Sequence, residues 1–424
     1  MKNVRKVVFV TLSALVIGAV FPYVNFALDQ TYAQLKVIVD VLELIKDSYV
    51  EKIDPQKLVY GAAKGMVEEL DDFSQFMEPD VYVRVKSDTE GEFGGIGIRV
   101  DTREGWLTVV TPLPNTPAWR AGMMPGDKII KIEGETTKDL IIDEAIKKLR
   151  GKPGTQVKIT TAREPEDKNS DWIQKDITII RELIKTENVK WRMLDGKTGY
   201  IKIVEFTGHV TENFDRALAD LKGKGMEALV LDLRYNPGGL LSAAVDISKL
   251  FMNGNKMIVY TKGRKPENYQ EFRANGSAPH ELMPLVVLIN RYSASASEIV
   301  AGAMQDNKRA VVVGERSFGK ASVQSMIPLS DKSALRLTIA KYYTPSGKSI
   351  QHDAKGENGG ILPDIEIKVP LETEKKLLQQ GEEIYFPGKE ENGKKKDAVK
   401  DEVLDRAVEL LKAREVLGNL KPGK

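Results

Sequence analysis

Apolar residues recur at three- and four-residue spacing near the start of the chain. From Thr31 to about Met77 this spacing predicts helices, with a second helical stretch from Pro55 to Leu70. The apolar stripe of such a helix needs a surface to pack on. The body of the same chain and a second subunit both remain open as that surface.

The next stretch, from about Arg84 to Glu164, has short apolar runs separated by glycine and proline. Its clearest helical pattern lies between Ile142 and Leu149, where apolar residues share one face. The whole stretch is typical of a compact domain of strands with one or two helices. A polar segment from Arg163 to Asp171 then predicts a hairpin tip or a linker.

From Gly199 to about Pro370 strand-like and helix-like segments alternate, which predicts an α/β core. The predicted strands are Tyr200 to Phe206, Ala228 to Leu233, Leu285 to Asn290, Ala310 to Gly314 and Leu335 to Tyr343. The predicted helices are Glu212 to Lys222, Leu240 to Met252 and Ser297 to Asp306. The last fifty or so residues are rich in charged side chains and contain one amphipathic helix near Asp401 to Leu417. We therefore expect a solvated peripheral appendage there.

The composition excludes several classes of chemistry. The 424 residues contain 63 lysines and arginines against 61 aspartates and glutamates, so no strong net charge favours nucleic acid as a partner. Cysteine is absent, which removes thiol nucleophiles, thiolate metal sites and disulfides. The histidines, His209, His280 and His352, do not have the spacing of zinc ligands. A zinc hydrolase is therefore not expected.

The N-terminus has the pattern of an export signal. Lys2, Arg5 and Lys6 precede an uncharged run from Val7 to Leu28, which Asp29 ends. The run is long enough to cross a bilayer, and no clear Ala-x-Ala cleavage site follows it. A removed signal peptide and an uncleaved membrane anchor both remain open, and a buried core helix is the third alternative. Either of the first two predicts that the rest of the chain is exported.

A segment of small residues follows the predicted strand that ends at Asn290. It contains Ser293, Ser295 and Ser297 separated by alanines, and it leads into a helix through Glu298. A hydroxyl at a helix N-terminus suits acyl transfer, because free N–H groups and the helix dipole can stabilise a developing oxyanion. Ser295 and Glu298 also have the spacing of a capping box, which needs no catalysis. Both interpretations stay open from this segment alone.

Lys320 follows the predicted strand Val311 to Val313 and is preceded by Phe318 and Gly319. A lysine acts as a general base only when neutral, and burial in an apolar pocket lowers its pKa toward the working pH. Activation of serine by lysine is a known form of the nucleophile and base pair. Because no histidine lies near either segment, Lys320 is the available base. A surface lysine at a turn is the alternative.

A third motif runs from Leu231 to Gly239, where a strand enters a glycine turn and then a helix. Backbone amides in such a turn can point at an anion. The motif therefore suits an oxyanion hole, and an ordinary connecting turn is the alternative.

Together these motifs resemble the carboxyl-terminal processing, or tail-specific, protease family. The resemblance runs from about Thr31 to Pro370, and its most specific parts are the paired motifs Ser-Ala-Ser-Ala-Ser-Glu and Phe-Gly-Lys. It implies that Ser295 is the nucleophile and Lys320 the general base, and the spacing between the two matches the family. Ala321 departs from the glycine that many members have after the lysine, and it adds one methyl group beside it.

The same resemblance assigns further site residues. Gln324, about one helical turn beyond the lysine, is expected to orient the lysine amine, and Asp306 matches an acidic position with a supporting role. The oxyanion hole would consist of the Ala296 N–H and the turn at Gly238 and Gly239. The resemblance does not distinguish these two glycines, and it implies neither a metal nor a cofactor.

The upstream domain resembles a PDZ domain. Gly94, Gly95, Ile96, Gly97 and Ile98 resemble the loop whose backbone amides bind the terminal carboxylate of a peptide, which would add as a strand beside it. A glycine cluster alone is equally typical of an ordinary turn. The later glycine and proline turns follow in the order of a PDZ domain, and that order favours the PDZ interpretation.

The expected fold is a multidomain α/β and α+β protein, with a PDZ domain before a ClpP/crotonase-like α/β serine protease core and a helical N-terminal region. The expected boundaries are residues 1–30 for the signal peptide or anchor, 31–83 for the helical region, 84–166 for the PDZ domain, 167–370 for the protease core and 371–424 for the charged C-terminal helical appendage.

The expected function is that of a serine endopeptidase that cleaves exported or membrane proteins after its PDZ domain recruits their unstructured C-terminal tails. The resemblance implies a periplasmic or extracytoplasmic location, membrane association through the N-terminal segment, and, as in some members, a homodimer or an adaptor protein.

Two other functions stay open. A catalytically inactive PDZ scaffold would bind peptide tails but should lack Ser295, Lys320 or Gln324. A hydratase-like enzyme acting on thioesters would need neither the PDZ domain, nor the export signal, nor Lys320.

Overall fold

The structure of the protein is a computed structural model that describes residues 32–113, 115–165, 171–352, 358–385 and 399–419. The predicted export signal lies outside the described residues. Within those ranges, no helix has both the length and the apolar character needed to cross a bilayer. The chain divides into two compact units: residues up to Glu78 with Met326–Leu337, and Pro79–Ser325 with the residues from Thr338 onward.

The first unit is helical at its start, as the apolar spacing predicts. Pro55 lies in the first turn of the second helix, where its missing N–H leaves no bond unmade, and the Asp54 carboxylate caps that helix by accepting the Gln56 N–H at 2.9 Å. A short strand then pairs antiparallel with residues 334–336. The elements are α1 (32–48), α2 (Pro55–Glu68) and β1 (Gln75–Met77).

The second unit begins with a helix and a domain of strands. Its elements are α3 (Pro79–Glu90), β2 (Glu92–Gly95), β3 (Ile98–Arg103), β4 (Trp106–Pro112), α4 (Pro117–Arg120), β5 (Lys128–Ile132), β6 (Glu135–Thr136), α5 (Ile142–Leu149), β7 (Gln156–Arg163), β8 (Ile173–Ile180) and β9 (Glu182–Lys185). The main sheet has the order β3-β4-β5-β7-β8, and β2 pairs with β9 separately. Apolar side chains of alternate strand positions, such as Leu107, Ile129 and Ile159, form its core with α5. Strand β3 lies at the edge of this sheet.

An α/β domain follows, as predicted. Its elements are β10 (Val189–Met193), β11 (Thr198–Ile203), α6 (Val210–Gly223), β12 (Ala228–Asp232), α7 (Leu241–Lys249), β13 (Lys256–Gly263), β14 (Gln270–Ala274), β15 (Leu285–Ile289), α8 (Ala296–Asp306), β16 (Val311–Gly314), β17 (Ser322–Pro328), β18 (Ala334–Tyr343), β19 (Ile365–Glu366), α9 (Leu371–Tyr385) and α10 (Glu402–Asn419). The predicted strands and helices of this region are confirmed, with ends that differ by at most three residues.

The central sheet has the strand order β10-β11-β12-β15-β16-β19, and all its pairs except β10 with β11 are parallel. Every residue of β15 is buried, because helices cover both faces of the sheet. Helices α6, α7 and α8 contribute to the core on one face, and α10 packs on the other. A second sheet joins β13, β14, β17 and the part of β18 from Ala340 to Tyr343.

The C-terminal helices differ from the solvated appendage that their charge predicts. Val403, Ala407 and Leu411 of α10 are buried against the central sheet. Glu374 of α9 is also buried, at 4% exposure. The charged residues of α10 face outward, while an apolar stripe on its other side packs on the sheet. The overall charge of the segment therefore did not indicate its burial.

Candidate active site

The three sequence motifs lie at one edge of the central sheet. Strands β12, β15 and β16 are parallel neighbours, so their carboxyl ends meet at the same edge. The loops that follow them are 233–239, 290–295 and 315–320, and they contain the glycine turn, the serine segment and Lys320. The fold therefore brings together three motifs that are separate in sequence.

Backbone hydrogen bonds join these loops to one another. The Ala294 N–H donates to the Asn236 carbonyl at 3.0 Å, and the Phe318 N–H donates to the Ser293 carbonyl at 3.0 Å. The Ser293 hydroxyl also donates to the Leu233 carbonyl at 2.8 Å. The serine segment thus lies between the glycine turn and the lysine loop and is bonded to both.

Ser295 precedes the first turn of α8 and has an unusual backbone conformation. Its φ of 54° and ψ of −112° lie in a region that costs a non-glycine residue about 1–3 kcal/mol. Such strain is typical of residues that a fold holds for function. The side chain is half-buried, and the residues that follow it in α8 are buried.

Glu298 caps α8 and also contacts the lysine loop. Its carboxylate accepts the Ser295 N–H at 2.7 Å, as the capping spacing predicts. The same carboxylate also accepts the Lys320 N–H at 2.9 Å and the Gly319 N–H and Ser317 hydroxyl, each at 2.6 Å. One buried carboxylate therefore fixes the serine segment to the lysine loop.

The electrostatic environment of Glu298 reflects this burial. Burial raises the pKa of Glu298 to about 7, and the hydrogen bonds from Ser317, Lys320, Gly319 and Ser295 act in the opposite direction. The carboxyl group therefore changes its charge near neutral pH. Since all four of its partners donate, only the ionised form can accept every bond.

Tyr342 of β18 contacts both candidate catalytic residues. Its hydroxyl donates to the Lys320 carbonyl, and a hydrogen bond joins it to the Ser295 side chain. Burial and the charge of Glu298 raise the pKa of Tyr342 well above its usual range, although the bond to Ser295 opposes them. The phenol thus stays protonated beside the serine hydroxyl.

The glycine turn lies directly against the serine. A Cβ atom added to Gly238 would lie 2.7 Å from the Ser295 Cβ and 3.0 Å from the Ala296 nitrogen. Gly238 has φ 106° and Gly239 has φ 132°, values that favour glycine. A Cβ at Gly239 would lie 2.2 Å from the Phe206 carbonyl oxygen, so both positions need glycine for space as well.

The backbone amides near the serine differ in whether a protein group accepts their hydrogen bonds. The Gly238 N–H donates to the Asn236 side-chain oxygen at 2.8 Å and is therefore occupied. Among the described residues, the N–H groups of Ala296 and Gly239 have no protein acceptor. Of the two glycines, Gly239 is therefore the one with a free donor.

Gln324 and Asp306, the two further residues that the family resemblance assigns to the site, lie on different secondary-structure elements. Gln324 belongs to strand β17, so the expected helical turn between Lys320 and Gln324 is wrong, and the strand alternation puts it on the same face as Ser322. Asp306 ends α8, about 15 Å along the helix from its first residue at a rise of about 1.5 Å per residue. Its carboxylate accepts the Ser346 N–H at 2.9 Å.

The structure divides the predicted carboxylate-binding loop. Gly94 and Gly95 pair with Leu183 and Glu182 of β9, whereas Gly97 has φ 76° and forms the turn before β3. A Cβ at Gly97 would lie 2.3 Å from the Thr116 Cβ. The amides of Ile96 and Gly97 have no protein acceptor within the described ranges, and they lie beside the edge strand β3.

Sequence reasoning missed four residues of this site. It treated Glu298 only as a cap, and it did not select Tyr342 or Asn236. The expectation that no histidine lies near the lysine loop is wrong in the fold: the His352 N–H donates to the Gly319 carbonyl at 2.9 Å, and the His352 ring lies 6.2 Å from the Phe318 ring. The spacing of Glu298 from Ser295 predicts only one of the four hydrogen bonds that the Glu298 carboxylate accepts. No local pattern indicates the bonds to a loop that lies some twenty positions further along the chain.

Comparison with family models identifies the parts of the chain. Residues 197–367 match the family described as Peptidase family S41. Residues 108–163 match the PDZ domain, and residues 23–81 match the Activating protease CtpB N-terminal domain. The matched PDZ segment begins after the loop at Gly94–Ile98.

Curated relatives agree over most of the chain. A carboxy-terminal-processing protease of Bartonella bacilliformis is 41% identical over 376 residues, which cover 87% of this chain and 84% of that protein. The chain belongs to the carboxyl-terminal processing proteases. A carboxyl-terminal-processing protease of Synechocystis sp. is 36% identical over 77% of this protease and 75% of its own length. The protease is thus a serine-type peptidase with a PDZ domain and an α/β core.

Among solved structures, the photosystem II D1 C-terminal processing protease is similar at 27% identity. It covers 78% of this protease and 92% of its own chain, with a TM-score of 0.45.

Proposed function

We propose that this protease cleaves exported or membrane proteins with a Ser295–Lys320 dyad, after its PDZ domain binds their unstructured C-terminal tails. The observation that supports the dyad most is the shared Glu298 carboxylate, which accepts the backbone N–H groups of both residues. A lysine side chain that begins this close to the serine can reach its hydroxyl. Membership of a serine peptidase family supplies the reaction class.

The proposed reaction assigns a role to each group of the site. Neutral Lys320 accepts the Ser295 proton as the hydroxyl oxygen attacks the scissile carbonyl carbon. The N–H groups of Ala296 and Gly239 stabilise the resulting oxyanion, and the positive end of the α8 dipole adds to them. Lys320 then protonates the leaving amine, and water releases the acyl group. Gln324 orients the lysine amine.

The edge of the PDZ sheet favours tail recruitment. Among the strands that the structure describes, none pairs with the outer side of β3, so a peptide can add there as an extra strand. The amides of Ile96 and Gly97, which have no protein acceptor among the described residues, directly precede that strand and suit a terminal carboxylate. The bound tail would thereby be fixed at its end while upstream residues enter the active site.

We also propose that the protease is exported and is held at the membrane, or released, by its N-terminal segment. The basic residues and apolar run of that segment support this location. Exposed apolar side chains on α1, among them Leu35, Val39 and Leu44, favour a second copy of the chain as its partner. Alkaline phosphatase fusions after residue 31 test export, and light scattering of the purified protein tests the dimer.

Incubation of the purified protein with an unfolded polypeptide tests the cleavage. We expect fragments with the wild-type protein and none with Ser295→Ala. A Ser295→Ala variant that cleaves at the wild-type rate would contradict the proposal. The inactive variant also allows tail binding to be measured, because the peptide stays intact.

A further inference from the structure

Glu374 lies far from the active-site motifs in sequence but contacts two of their loops. It sits in the first turn of α9 and is buried, at 4% exposure. One carboxylate oxygen accepts the Tyr235 hydroxyl at 2.7 Å, and the other pairs with the Arg291 guanidinium. Tyr235 belongs to the glycine-turn loop, and Arg291 belongs to the serine segment.

Tyr235 is the residue through which Glu374 contacts the glycine turn. Its φ of 64° is unfavourable for a large side chain, so surrounding contacts must hold it in place. The Tyr235 N–H donates to the Asn290 side-chain oxygen at 2.9 Å, and its ring stacks on Tyr292 with centroids 5.6 Å apart. Asn236, the next residue, binds the Gly238 N–H. A displacement of Tyr235 is therefore transmitted directly to the glycine turn.

Arg291 connects Glu374 to the serine segment and to the lysine loop. Its guanidinium also pairs with Glu315 at 3.1 Å, and Glu315 is the first residue after β16. The other oxygen of Glu315 accepts the Val369 N–H at 2.9 Å, just before α9. Glu374 thus belongs to a charge network that contacts all three loops at their beginnings.

The second C-terminal helix, α10, is also connected to the glycine-turn loop. Arg234 forms bonds to Asp401 at 2.8 and 2.9 Å and to Asp232 at 2.7 Å, and its side chain is 11% exposed. Asp401 also accepts the Leu404 N–H at 3.1 Å in the first turn of α10. The glycine-turn loop is therefore anchored to both C-terminal helices through consecutive residues, Arg234 and Tyr235.

We propose that Glu374 is a positioning residue for the peptidase reaction, which holds the oxyanion turn against the nucleophile segment. On this proposal the two C-terminal helices are part of the catalytic unit. The proposal rests on the function given above, since it acts through the turn that binds the oxyanion. The observation that supports it is that the two oxygens of Glu374 bind one residue in each of two active-site loops.

The expected effect is on turnover more than on substrate binding. Glu374→Gln keeps the size of the side chain but removes the charge that pairs with Arg291, and its amide can serve only one of the two partners as acceptor. Displacement of an active-site group by about 1 Å costs about 100-fold in rate. We therefore expect kcat to fall by about 10- to 100-fold, with KM changed by less than about threefold.

Two further variants separate positioning from folding. Glu372→Gln removes a carboxylate from the same helical turn, where Glu372 is exposed and pairs with Lys375 at the surface, and it should retain wild-type kinetics. Tyr235→Phe removes only the hydroxyl that Glu374 accepts. If Glu374 acts through Tyr235, the double variant should be little worse than the more impaired single variant.

The measurement is kcat per active site, titrated with a serine-reactive fluorophosphonate, together with KM and the thermal midpoint. The proposal is supported if Glu374→Gln lowers kcat per titrated site and the two variants are not additive. It is overturned if only the thermal midpoint falls while kcat per site stays at the wild-type value, or if Glu372→Gln has an equal effect. Ser295→Ala on the same substrate separates the two proposals: if it is inactive while Glu374→Gln is unimpaired, only the positioning role fails.

Discussion

The backbone N–H groups of Ser295 and Lys320 donate to the same carboxylate oxygen, at 2.7 and 2.9 Å. The two nitrogens are therefore no farther apart than the sum of these bonds. The oxygen belongs to Glu298, whose other oxygen accepts Ser317 and Gly319. The alignment of the two candidate catalytic residues thus depends on one buried carboxyl group.

Glu298→Gln should impair the protease strongly. A glutamine has one carbonyl oxygen, so in either orientation its NH2 group faces two of the four donors. Each buried donor left unpaired costs about 1–3 kcal/mol. We expect a loss of at least about 100-fold in kcat/KM and a lower thermal midpoint. Steady-state kinetics and calorimetry measure both, and wild-type values for the variant would show that the four bonds do not matter.

The raised pKa of Glu298 predicts how stability depends on pH. Its ordinary value is 4.5, and burial raises the folded-state value to about 7 despite the hydrogen bonds. Between these pH values the folded protein keeps a proton that the unfolded chain has lost, so the contribution of this group is fully present below 4.5 and is lost as the pH rises through about 7. Glu298→Gln should remove this part of the pH dependence, as urea unfolding at several pH values would reveal. If the unfolding free energy of Glu298→Gln depended on pH as it does in the wild type, the raised pKa of Glu298 would be contradicted.

Activity should change in the opposite direction. The ionised Glu298 accepts all four donors, whereas protonation turns one oxygen into a donor that faces other donors. We therefore expect kcat/KM to fall as the pH decreases below about 7. Initial rates across this range provide the measurement, and a rate that rises toward acid pH would oppose the expected sign.

Gly238→Ala should abolish the geometry of the turn. The added Cβ would lie 2.7 Å from the Ser295 Cβ and 2.8 Å from the Ala294 carbonyl oxygen, both far inside normal contact distances. Gly254→Ala is a matched control, because Gly254 also has a positive φ, 68°, but has no atom within 4 Å of the new Cβ. We expect a loss of about 100-fold or more in kcat for Gly238→Ala and near-normal kcat for Gly254→Ala. If both variants lost kcat equally, backbone strain at a positive φ would explain the loss without the contact to Ser295.

Gly97→Ala should weaken tail binding by the PDZ domain. The new Cβ would lie 2.3 Å from the Thr116 Cβ, which forces the predicted carboxylate-binding loop to move. Gly122→Ala has the same φ, 76°, and an open surrounding, so it controls for backbone strain. In a Ser295→Ala background, we expect Gly97→Ala to weaken binding of a fluorescent peptide with a free C-terminus by about 10-fold. Anisotropy titrations of free and amidated peptides check this, and equal affinity for the two peptides would argue against carboxylate recognition.

The sequence predicted the central sheet well because its strands carry strong local signals. Leu285–Ile289 is an uninterrupted apolar run after a proline, and the small residues that follow it mark a turn into a helix. The family motifs then predicted Ser295 and Lys320 as a pair, and the fold brings the backbone N–H groups of both to the Glu298 carboxylate. Local apolar runs and specific motifs were sufficient for this part of the fold.

The contacts between distant segments could not be predicted in the same way. Glu374 appears in the sequence as one acidic residue in a charged helix, and only the packing of α9 shows that it is buried beside Tyr235 and Arg291. Gln324 was expected one helical turn beyond the lysine, but Ser322–Pro328 form a strand that pairs with β18. Charge and spacing alone do not reveal which partner a segment meets after folding.

Covalent labelling of Ser295 tests the central claim most directly. A fluorophosphonate reacts much faster with an activated serine than with an ordinary hydroxyl, and mass spectrometry locates the modified residue. Removing one member of a nucleophile and base pair costs about 10⁴- to 10⁶-fold in rate. We expect label at Ser295 in the wild-type protein, none in Ser295→Ala, and a labelling rate at least about 1,000-fold lower in Lys320→Ala. Wild-type labelling of Ser295 in the Lys320→Ala variant would contradict the dyad.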